Sequence, residues 1–472
     1  MMLIYVSPIT YKLCTQIVHV TKNPKLGSQG MSSSSPLTVK RSQVVIVKPS
    51  NATPDVSLSL STLDNDPNLE SLAKTIYVYA PPSSKADVHD PASLFQQALA
   101  HALVYYYPLA GKLHRGSHDH RLELRCSPAE GVPFVRATAD CTLSSLNYLE
   151  DTDADLYQLV PSDVAVRSGG YNPLALQITL FACGGITFAA ALSHSLCDGF
   201  GASQFFKALT ELAEGKKQPS IIPVWDRHCL TPNNFSVTGQ VEQGQAPKLV
   251  NFEEACSPVA ISPYTPSNDM VCEILNVTSE EITQLKEKVE GEVTTLEILA
   301  AHVWRSRCRA LKLNLDGTSQ FGMAVGIRRI VDPPLPEGYY GNAFVMANIV
   351  MKVSELNNSP LSHVVTLIKE AKRAALEKSY VSEQLRKIER KLKMKVACEG
   401  GNGALFLLTD WRHLGLLNKV DFGYGGSLSI IPLVSDICIF LPRKHGGVRV
   451  QITLPKPAMD NFKEHMINTL CL

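Results

Sequence analysis

The stretch that decides the fold runs from Ala175 to Gly215 and reads ALQITLFACGGITFAAALSHSLCDGFGASQFFKALTELAEG. Two apolar, β-prone runs meet at Gly184-Gly185, a pair typical of a β-hairpin turn. The second run ends in His194, and the last fifteen residues carry apolar side chains at helical spacing. We therefore predict strand, turn, strand and helix in immediate succession, with a histidine at the end of the second strand.

The rest of the chain has strand and helix patterns on both sides of this stretch. Residues 44–49 and 58–64 have strand patterns, and helical spacing at 92–106 stops before Pro108. Thr278 and Thr294 each stand three residues before a glutamate, the capping box of a helix start. The other predicted elements are strands at 321–327, 343–353, 404–410, 427–434, 437–442 and 448–455 and helices at 361–394 and 457–470. This mixture in both halves predicts an α/β or α+β fold.

A change of composition divides the chain. Residues 226–266 are rich in Pro, Gln, Asn, Ser and Gly without periodicity, which favours a crossover linker. We expect an N-terminal domain at 38–225 and a C-terminal domain at 267–472, with part of 421–445 open to packing on the N-terminal domain. Residues 1–37 lack Asp and Glu, and we expect a disordered extension with Met31 as the working start. A targeting segment is the alternative.

Composition also limits the function classes. The 472 residues include 45 basic and 44 acidic side chains, with a formal net charge of +1 and a mean hydropathy of +0.01. This balance gives no electrostatic footprint for nucleic acid or an anionic membrane. No run reaches the roughly 18 apolar residues of a membrane span, and the 12 cysteines lack zinc spacing. We expect a soluble, monomeric, cytoplasmic protein without a metal, whose partners are small molecules.

His194 is the first candidate for catalysis. It stands four residues before Asp198, which Gly199 follows, at a strand–helix junction where a side chain is held rigidly beside a cleft. The HxxxD spacing alone is weak, because on the order of half of chains with this many histidines contain one by chance. The alternative is a strand-end histidine without a chemical role, with Asp198 as the N-cap of the helix.

Two turn-rich segments are the other candidates. DFGYGG at 421–426 lies between predicted strands, and its glycines permit close approach of a bulky group. DPPLPEGYYGN at 332–342 combines prolines that fix φ with glycines that allow a reversal. Taken alone, each segment is better explained as a connecting loop.

Together these segments resemble one family. HSLCDG at 194–199 and DFGYG at 421–425 are similar to the HxxxDG and DFGWG pair of the plant BAHD acyl-CoA-dependent acyltransferases. Further matches are LSTLDND (60–66), YYPLAGKL (106–113), CGG (183–185), PVWDR (223–227), TTLEILAAHVWR (294–305), PPLPEGYYGN (333–342) and LTDWR (408–412). The resemblance covers essentially everything after residue 36. Within the family the chain looks most like the spermidine hydroxycinnamoyl or disinapoyl transferases.

The resemblance implies a fold and residue roles. The fold is α/β, with two similar mixed-sheet domains like chloramphenicol acetyltransferase, joined by a long crossover loop around an active-site channel. His194 is the implied catalytic base. The residues implied to hold the shape of the site are Asp198, Gly199, Arg328 as the partner of Asp198, Asp421, Phe422, Gly423, Tyr424 and Gly425. The sequence departs from the family at Tyr424, which replaces Trp, and at Gly326, where many relatives have an acidic or amide residue.

The implied reaction uses acyl-CoA as co-substrate and no bound cofactor. A hydroxycinnamoyl-type or other aromatic acyl group passes to a polyamine such as spermidine; an alkaloid, terpenoid or phenolic alcohol is the alternative acceptor. A non-catalytic ligand-binding relative is a further alternative. Candidates for contact with the oxyanion or CoA are Thr294, Thr295, Thr409, Trp411 and Arg412. The basic stretch 369–395 is another, with a solvated charged helix as its alternative.

Overall fold

The computed structural model describes most of the chain. The described residues are 37–82, 90–116, 119–150, 154–161, 170–232, 258–394, 403–416, 420, 422, 424, 426–434, 436–444 and 446–471. Three residues of the glycine loop, Asp421, Gly423 and Gly425, lie outside this set, as do residues 1–36 with Met31 and residues 233–257 of the expected linker. The assignments of a disordered extension and of the domain boundaries therefore stay predictions.

The described elements follow one another in mixed order. The strands are β1 (Val39–Arg41), β2 (Val45–Val47), β3 (Val56–Ser59), β4 (Leu72–Tyr79), β5 (Lys112–Arg115), β6 (Leu122–Cys126), β7 (Val132–Ala139), β8 (Leu174–Phe181), β9 (Ile186–Ser193), β10 (Met270–Val277), β11 (Thr318–Gly326), β12 (Phe344–Lys352), β13 (Leu405–Asp410), β14 (Ser429–Pro432), β15 (Cys438–Pro442) and β16 (Val448–Pro455). The helices are α1 (Pro91–Tyr105), α2 (Gly199–Ala213), α3 (Ser279–Glu287), α4 (Thr295–Ala310), α5 (Val353–Asn358), α6 (Leu361–Ala374), α7 (Lys378–Met394) and α8 (Lys456–Cys471).

The first sheet is built around the predicted hairpin. Its strand order is β1-β7-β8-β9-β4-β14, and β2 also pairs with β7. Strands β8 and β9 pair from Leu174 opposite Leu192 to Leu180 opposite Ile186, and Gly184 in the turn has φ of +85°. Strand β9 is buried along its whole length, so the residue that follows it is held at the edge of a packed core.

One strand of the first sheet comes from the far end of the chain. Strand β14 pairs antiparallel with β4, with Ser429 opposite Val78 and Pro432 opposite Thr75. Directly before it lies the described part of the glycine loop. The C-terminal half therefore completes the sheet that carries His194.

The second mixed sheet has the order β10-β16-β15-β13-β11-β12. Helix α4 packs against it through fully buried Trp304, whose Nε1 donates to Ser319 Oγ at 2.9 Å. A separate three-stranded sheet of order β3-β6-β5 packs against the core of the first sheet through Leu113, Leu122 and Leu124. None of the helices within the described ranges is long and apolar enough to cross a bilayer.

Local sequence signals located several helix and strand ends. Both capping boxes are present: Thr278 and Thr294 accept from the backbone of Glu281 and Glu297, whose side chains accept from the threonine amides. These predictions are confirmed because the cap is a local interaction. Helix α2 begins at Gly199, and Gly215 follows its end with φ of +90°.

Other elements differ from the sequence prediction. The helical region predicted at 361–394 is two helices, α6 and α7, and no glycine or proline marks the break between them. Strands β1, β4, β5, β6, β7 and β10 were not predicted. In β4 the last five residues are all buried, which removes the alternation of polar and apolar positions, and β7 contains Pro133, which argues against a strand.

Candidate active site

His194 follows directly after β9, and its main chain is bonded on both sides. Its amide donates to the Ser71 carbonyl at 2.9 Å, and its carbonyl accepts from Asn342 Nδ2 at 2.7 Å. The ring lies edge-on to Phe344, with centroids 5.9 Å apart. Nδ1 is buried, while the residue as a whole is partly exposed, so Nε2 is the nitrogen available to a substrate.

Asp198 has two structural functions at once. Its Oδ1 accepts from the Gly201 amide at 2.9 Å, which caps α2. Both carboxylate oxygens also accept from Arg328, through Nη1 and Nη2 at 2.8 Å each. Burial alone would raise the pKa of this carboxyl, but Arg328 and the backbone donors hold the pKa below its usual value. Asp198 is therefore ionised and stabilises the turn between His194 and α2. Both the predicted N-cap and the implied ion pair with Arg328 are present.

The segment from Gly341 to Ala343 fastens Asp198 to the C-terminal half. Arg328 Nη2 donates to the Gly341 carbonyl at 2.8 Å, and the Ala343 amide donates to Asp198 Oδ2 at 3.1 Å. This segment ends the proline-rich turn quoted above and leads into β12. The turn thus contacts the candidate site, although its composition alone predicts only a rigid connection.

A second ion pair, which is buried, contacts the turn between His194 and Asp198. The sequence analysis assigned this pair no role. Arg227 Nη1 lies 3.4 Å from Asp64 Oδ2, and both side chains are almost fully buried. Arg227 Nη2 donates to the Leu196 carbonyl at 2.8 Å. The guanidinium carbon lies 4.2 Å from the ring centre of Trp225 and 4.8 Å from that of Tyr340. Asp64 and Arg227 lie within the quoted LSTLDND and PVWDR segments, which was the available signal.

The described part of the glycine loop packs into the N-terminal core. The Phe422 ring lies 3.8 Å from Phe95 and 5.6 Å from Phe188, between ring centres. Tyr79 Oη donates to the Val420 carbonyl at 3.0 Å, and the Tyr424 ring lies 6.0 Å from Tyr79. The described residues of the loop therefore pack as an aromatic plug, and the implied role of the whole loop in holding the shape of the site stays a prediction.

Three of the candidate oxyanion or CoA contacts are engaged elsewhere. The Trp411 amide donates to the Phe440 carbonyl at 2.8 Å, which corrects its assignment as an oxyanion donor. The Thr294 amide donates to Glu297, and Arg412 forks onto Asp410, with Nε and Nη2 at 2.8 and 2.6 Å from its carboxylate oxygens. The Trp411 and Thr294 amides and the Nε and Nη2 of Arg412 already satisfy other acceptors, so contact with the oxyanion or CoA would have to use other atoms of Thr294 and Arg412, and that role stays a prediction.

The remaining two candidates are not hydrogen-bonded, within the described part of the chain, to residues 194–198, which we call the histidine turn. Thr295 is the first residue of α4, and Thr409 is in β13 opposite Ile439. Neither shares a hydrogen bond with residues 194–198 in the described structure. Gly326 ends β11 with open space where a Cβ would stand.

A groove of about 980 Å³ runs between α7 and the segment 59–65. Its lining carries both signs of charge: Arg121, Arg386, Arg390, Lys393, Asp119, Glu123, Glu383 and Glu389. Arg121 pairs with Glu389, and Arg390 pairs with Glu383 at 2.7 Å. Part of the basic stretch 369–395 is therefore neutralised by its own surroundings, and its role toward CoA stays a prediction.

Asp66 is a carboxylate that lies within electrostatic range of His194. Its Oδ1 accepts from the Asn68 amide at 3.0 Å, and the residue is partly buried. Burial raises the pKa of this carboxyl against the opposing influence of Asn68, Lys391 and His194. Asp66 is therefore an acidic group whose burial its neighbours do not fully compensate.

One cluster has ligand types that could hold a metal. Asp226, His228 and Cys229 have donor atoms within 4.8 Å of one another. The carboxylate already accepts from Cys229 Sγ at 3.1 Å and lies 2.8 Å from His228 Nδ1. Burial of the Cys229 thiol and, to a lesser extent, its interaction with Asp226 raise its pKa to about 11. This raised pKa disfavours the thiolate that a metal requires.

Known proteins are similar to this chain in sequence and in fold. A family model described as the transferase family matches residues 35–469. The chain belongs to the BAHD transferase family. This BAHD chain is 40% identical over 455 residues to the spermidine sinapoyl-CoA acyltransferase of Arabidopsis thaliana, covering 92% of this chain and 98% of that protein. It is 41% identical over 452 residues to the spermidine coumaroyl-CoA acyltransferase of the same plant, covering 91% and 95%.

A solved structure shows the same architecture. Vinorine synthase superposes on the BAHD chain with a TM-score of 0.71 at 22% identity, over 91% of this chain and 98% of that one. The predicted fold class is confirmed. The protein is an acyltransferase, and acyl-CoA is its co-substrate.

Proposed function

We propose that this BAHD acyltransferase moves a hydroxycinnamoyl-type or other aromatic acyl group from CoA to a polyamine such as spermidine. The observation that carries the proposal is the identity of 40% and 41%, over 92% and 91% of the chain, to two enzymes named as spermidine acyltransferases. An alkaloid, terpenoid or phenolic alcohol is the alternative acceptor.

His194 is the proposed base. The acceptor nitrogen attacks the thioester carbonyl and forms the C–N bond while Nε2 takes the proton of the attacking N–H. The tetrahedral intermediate then collapses, the C–S bond breaks with its electron pair on sulfur, and the imidazolium returns the proton to the thiolate. A thiol with a pKa of about 8.5 leaves readily, so no acyl-enzyme is required.

A polyamine acceptor imposes a requirement that an alcohol does not. An alkylammonium with a pKa of about 10.4 must lose its proton before attack, at a cost of roughly 4.6 kcal/mol at pH 7. A carboxylate near the base can bind one ammonium group while a second amine reaches the thioester as the neutral species. We assign this role to Asp66 as part of the proposal, because it is a partly buried carboxylate and His194 is among the charged groups that influence its pKa.

The acceptor is tested directly with purified protein. Sinapoyl-CoA or coumaroyl-CoA is incubated with spermidine or with a panel of alcohols, and free thiol and products are measured by absorbance and mass spectrometry. We expect release of CoA together with an N-acylated spermidine, and its loss in His194→Ala. Turnover only with alcohols would exclude the polyamine acceptor, and turnover with neither would favour the ligand-binding alternative.

We further propose a monomer in the cytoplasm. One chain supplies both the histidine turn and the residues that brace it, which supports a monomer. Cys126, Cys197, Cys308 and Cys438 are buried free thiols, as is usual in a reducing compartment. Light scattering of the eluted protein tests the first statement, and the distribution of a fluorescent fusion in plant cells tests the second.

A further inference from the structure

The ring of His194 borders the partly exposed face of the paired strands β11 and β12. Phe344, the first residue of β12, lies edge-on to that ring, with centroids 5.9 Å apart. Exposure alternates along β12: Phe344 and Met346 are partly exposed, whereas Val345 and Ala347 are buried in the core of the second sheet. One face of the two strands therefore packs into that core, and the other face opens beside the proposed base.

Gly326 lies directly across from Phe344 on this open face. The two residues are cross-strand partners at the end of the ladder between β11 and β12. The adjoining pair carries the hydrogen bond, from the Ile327 amide to the Ala343 carbonyl at 2.9 Å. Gly326 and Phe344 are therefore a pair without mutual hydrogen bonds, in which the Cα atoms are about 4.5 Å apart and side chains project to the same face. A side chain at position 326 would border the Phe344 ring.

Neither the backbone nor the packing requires glycine at position 326. Its φ lies outside the left-handed region, and a Cβ there would meet no atom within 4 Å. Gly322 is on the same face but differs, because a Cβ there would stand 2.9 Å from Leu407 and 3.2 Å from Met346. Glycine also weakens a strand, since it has no side chain to pack. What glycine at position 326 provides is therefore the space beside Phe344.

Both strands that frame this space are fastened to the histidine turn. Arg328, which follows β11, donates to Asp198 through two nitrogens at 2.8 Å each. The Ala343 amide, which precedes β12, donates to the same carboxylate at 3.1 Å. The position of the space relative to His194 is therefore set by the contacts that hold the turn.

The side chains around the space favour an apolar occupant. Ala324 and Met346 form the next cross-strand pair on this face, and neither they nor Phe344 carry a charge. These three side chains offer an ammonium group no carboxylate. An aromatic ring, in contrast, gains edge-to-face contact with phenylalanine and a contact with the methionine sulfur. The acyl group of the proposed reaction carries such a ring.

We propose that Gly326 is a specificity-determining residue for the acyl donor, and that the space over it receives the aromatic ring of a hydroxycinnamoyl-type group. The ring lies against Phe344 while the thioester carbonyl lies beside Nε2 of His194. An acetyl group is too short to reach the space. This assignment rests on the aromatic donor of the proposed function and does not depend on which acceptor is used.

The test measures dissociation constants of coumaroyl-CoA and acetyl-CoA by titration calorimetry, without any acceptor. Gly326→Leu fills the space, so we expect coumaroyl-CoA to bind about 10-fold more weakly or worse, because the contacts of its ring are lost. The dissociation constant of acetyl-CoA should change by less than about 2-fold, because acetyl has no ring to displace. Equal losses for the two thioesters, or no loss for either, would overturn the proposal.

A matched control shows whether the effect is local. Gln320 is on the same face of β11, six residues and about 20 Å from Gly326 along the strand. Gln320→Leu introduces the same side chain there and should leave both dissociation constants unchanged. A loss of coumaroyl-CoA affinity in Gln320→Leu equal to that in Gly326→Leu would contradict a pocket at position 326.

A smaller substitution keeps the test decisive if Gly326→Leu does not fold. Gly326→Ala should weaken coumaroyl-CoA by about 3-fold and leave acetyl-CoA unchanged, because one methyl group fills only part of the space. The same equal or absent losses would overturn the proposal. The absence of an N-acylated polyamine in the turnover assay would refute the proposed acceptor, and the contrast between the two thioesters would still be measured.

Discussion

At the scale of the residue, His194 differs from the other polar groups of the site in how it is held. Its amide and carbonyl are both bonded, and one ring nitrogen is buried while the other is available. Asp198 lies only four residues away, yet its two oxygens are occupied by Arg328 and by backbone amides. The aspartate oxygens are therefore engaged, whereas a ring nitrogen of the histidine is left for the proposed role as base.

Asp198→Asn should lower stability in a pH-dependent way. The pKa of Asp198 is depressed in the folded state, so its contribution is complete above the unfolded pKa of about 3.9 and is lost as pH falls through the folded value. At pH 7 we expect a loss of about 3 kcal/mol, because Arg328, whose side chain is only 19% exposed, loses its carboxylate partner.

Urea unfolding of Asp198→Asn and wild type at several pH values measures this contribution. The difference should be largest near neutrality and shrink below about pH 4. Asp55→Asn is the matched control, because its pair with Arg125 is about half exposed and should contribute about 1 kcal/mol or less. A difference that does not vary with pH would contradict a depressed pKa.

Asp66→Asn should separate acceptor binding from stability. Burial raises the pKa of Asp66 in the folded protein, so the ionised carboxylate lowers the free energy of unfolding at pH 7. Replacing it by asparagine should therefore not lower stability at that pH. If the carboxylate binds an ammonium group, KM for spermidine should rise about 10-fold or more, because a charge-assisted hydrogen bond is lost. Steady-state kinetics and thermal unfolding check both parts; an unchanged KM would remove Asp66 from the acceptor site.

At the scale of the element, the site is a junction of one strand end, one helix start and two connecting segments. Strand β9 delivers His194, and α2 begins at the capped turn four residues later. The segment before β12 bonds to both ends of that turn. These connections explain why a turn of prolines and glycines carries functional geometry.

Phe422→Ala should destabilise the enzyme by about 3 to 5 kcal/mol, because a ring packed against Phe95 and Phe188 leaves a cavity. Differential scanning of unfolding measures the change. Leu315→Ala, at a side chain that is 57% exposed, is the control and should shift the midpoint little. Wild-type stability in Phe422→Ala would show that the loop does not act as a plug.

At the scale of the whole molecule, the two halves are interlocked rather than merely adjacent. Strand β14 completes the first sheet, Phe422 fills its core, and Arg328 and Asn342 reach the histidine turn. The net charge of +1 also hides local structure, since the groove beside α7 interleaves acidic and basic side chains. A strict segregation of charge, as a polycation acceptor and a polyanionic donor would favour, is absent from the described lining of that groove.

A chain ending at residue 266 should not fold alone. It lacks the strand that pairs with β4 and the ring that covers Phe95, and it leaves Asp198 without Arg328. We expect no cooperative thermal transition by circular dichroism, and recovery when residues 267–472 are co-expressed. A cooperative transition in the isolated half would show that the interlocking is dispensable.

The sequence by itself determined the local features of this enzyme. The hairpin, the two capping boxes and the helix after His194 depend on neighbours within a few residues, and the paired motifs identified the family. Only the tertiary structure decided which distant groups meet. Three separate segments contribute Asp64, Arg227 and Asn342 to the contacts around the histidine turn. The Trp411 amide donates to the Phe440 carbonyl instead of facing a substrate. Hydrogen bonds and ion pairs require contact in space, and a linear pattern does not encode that contact.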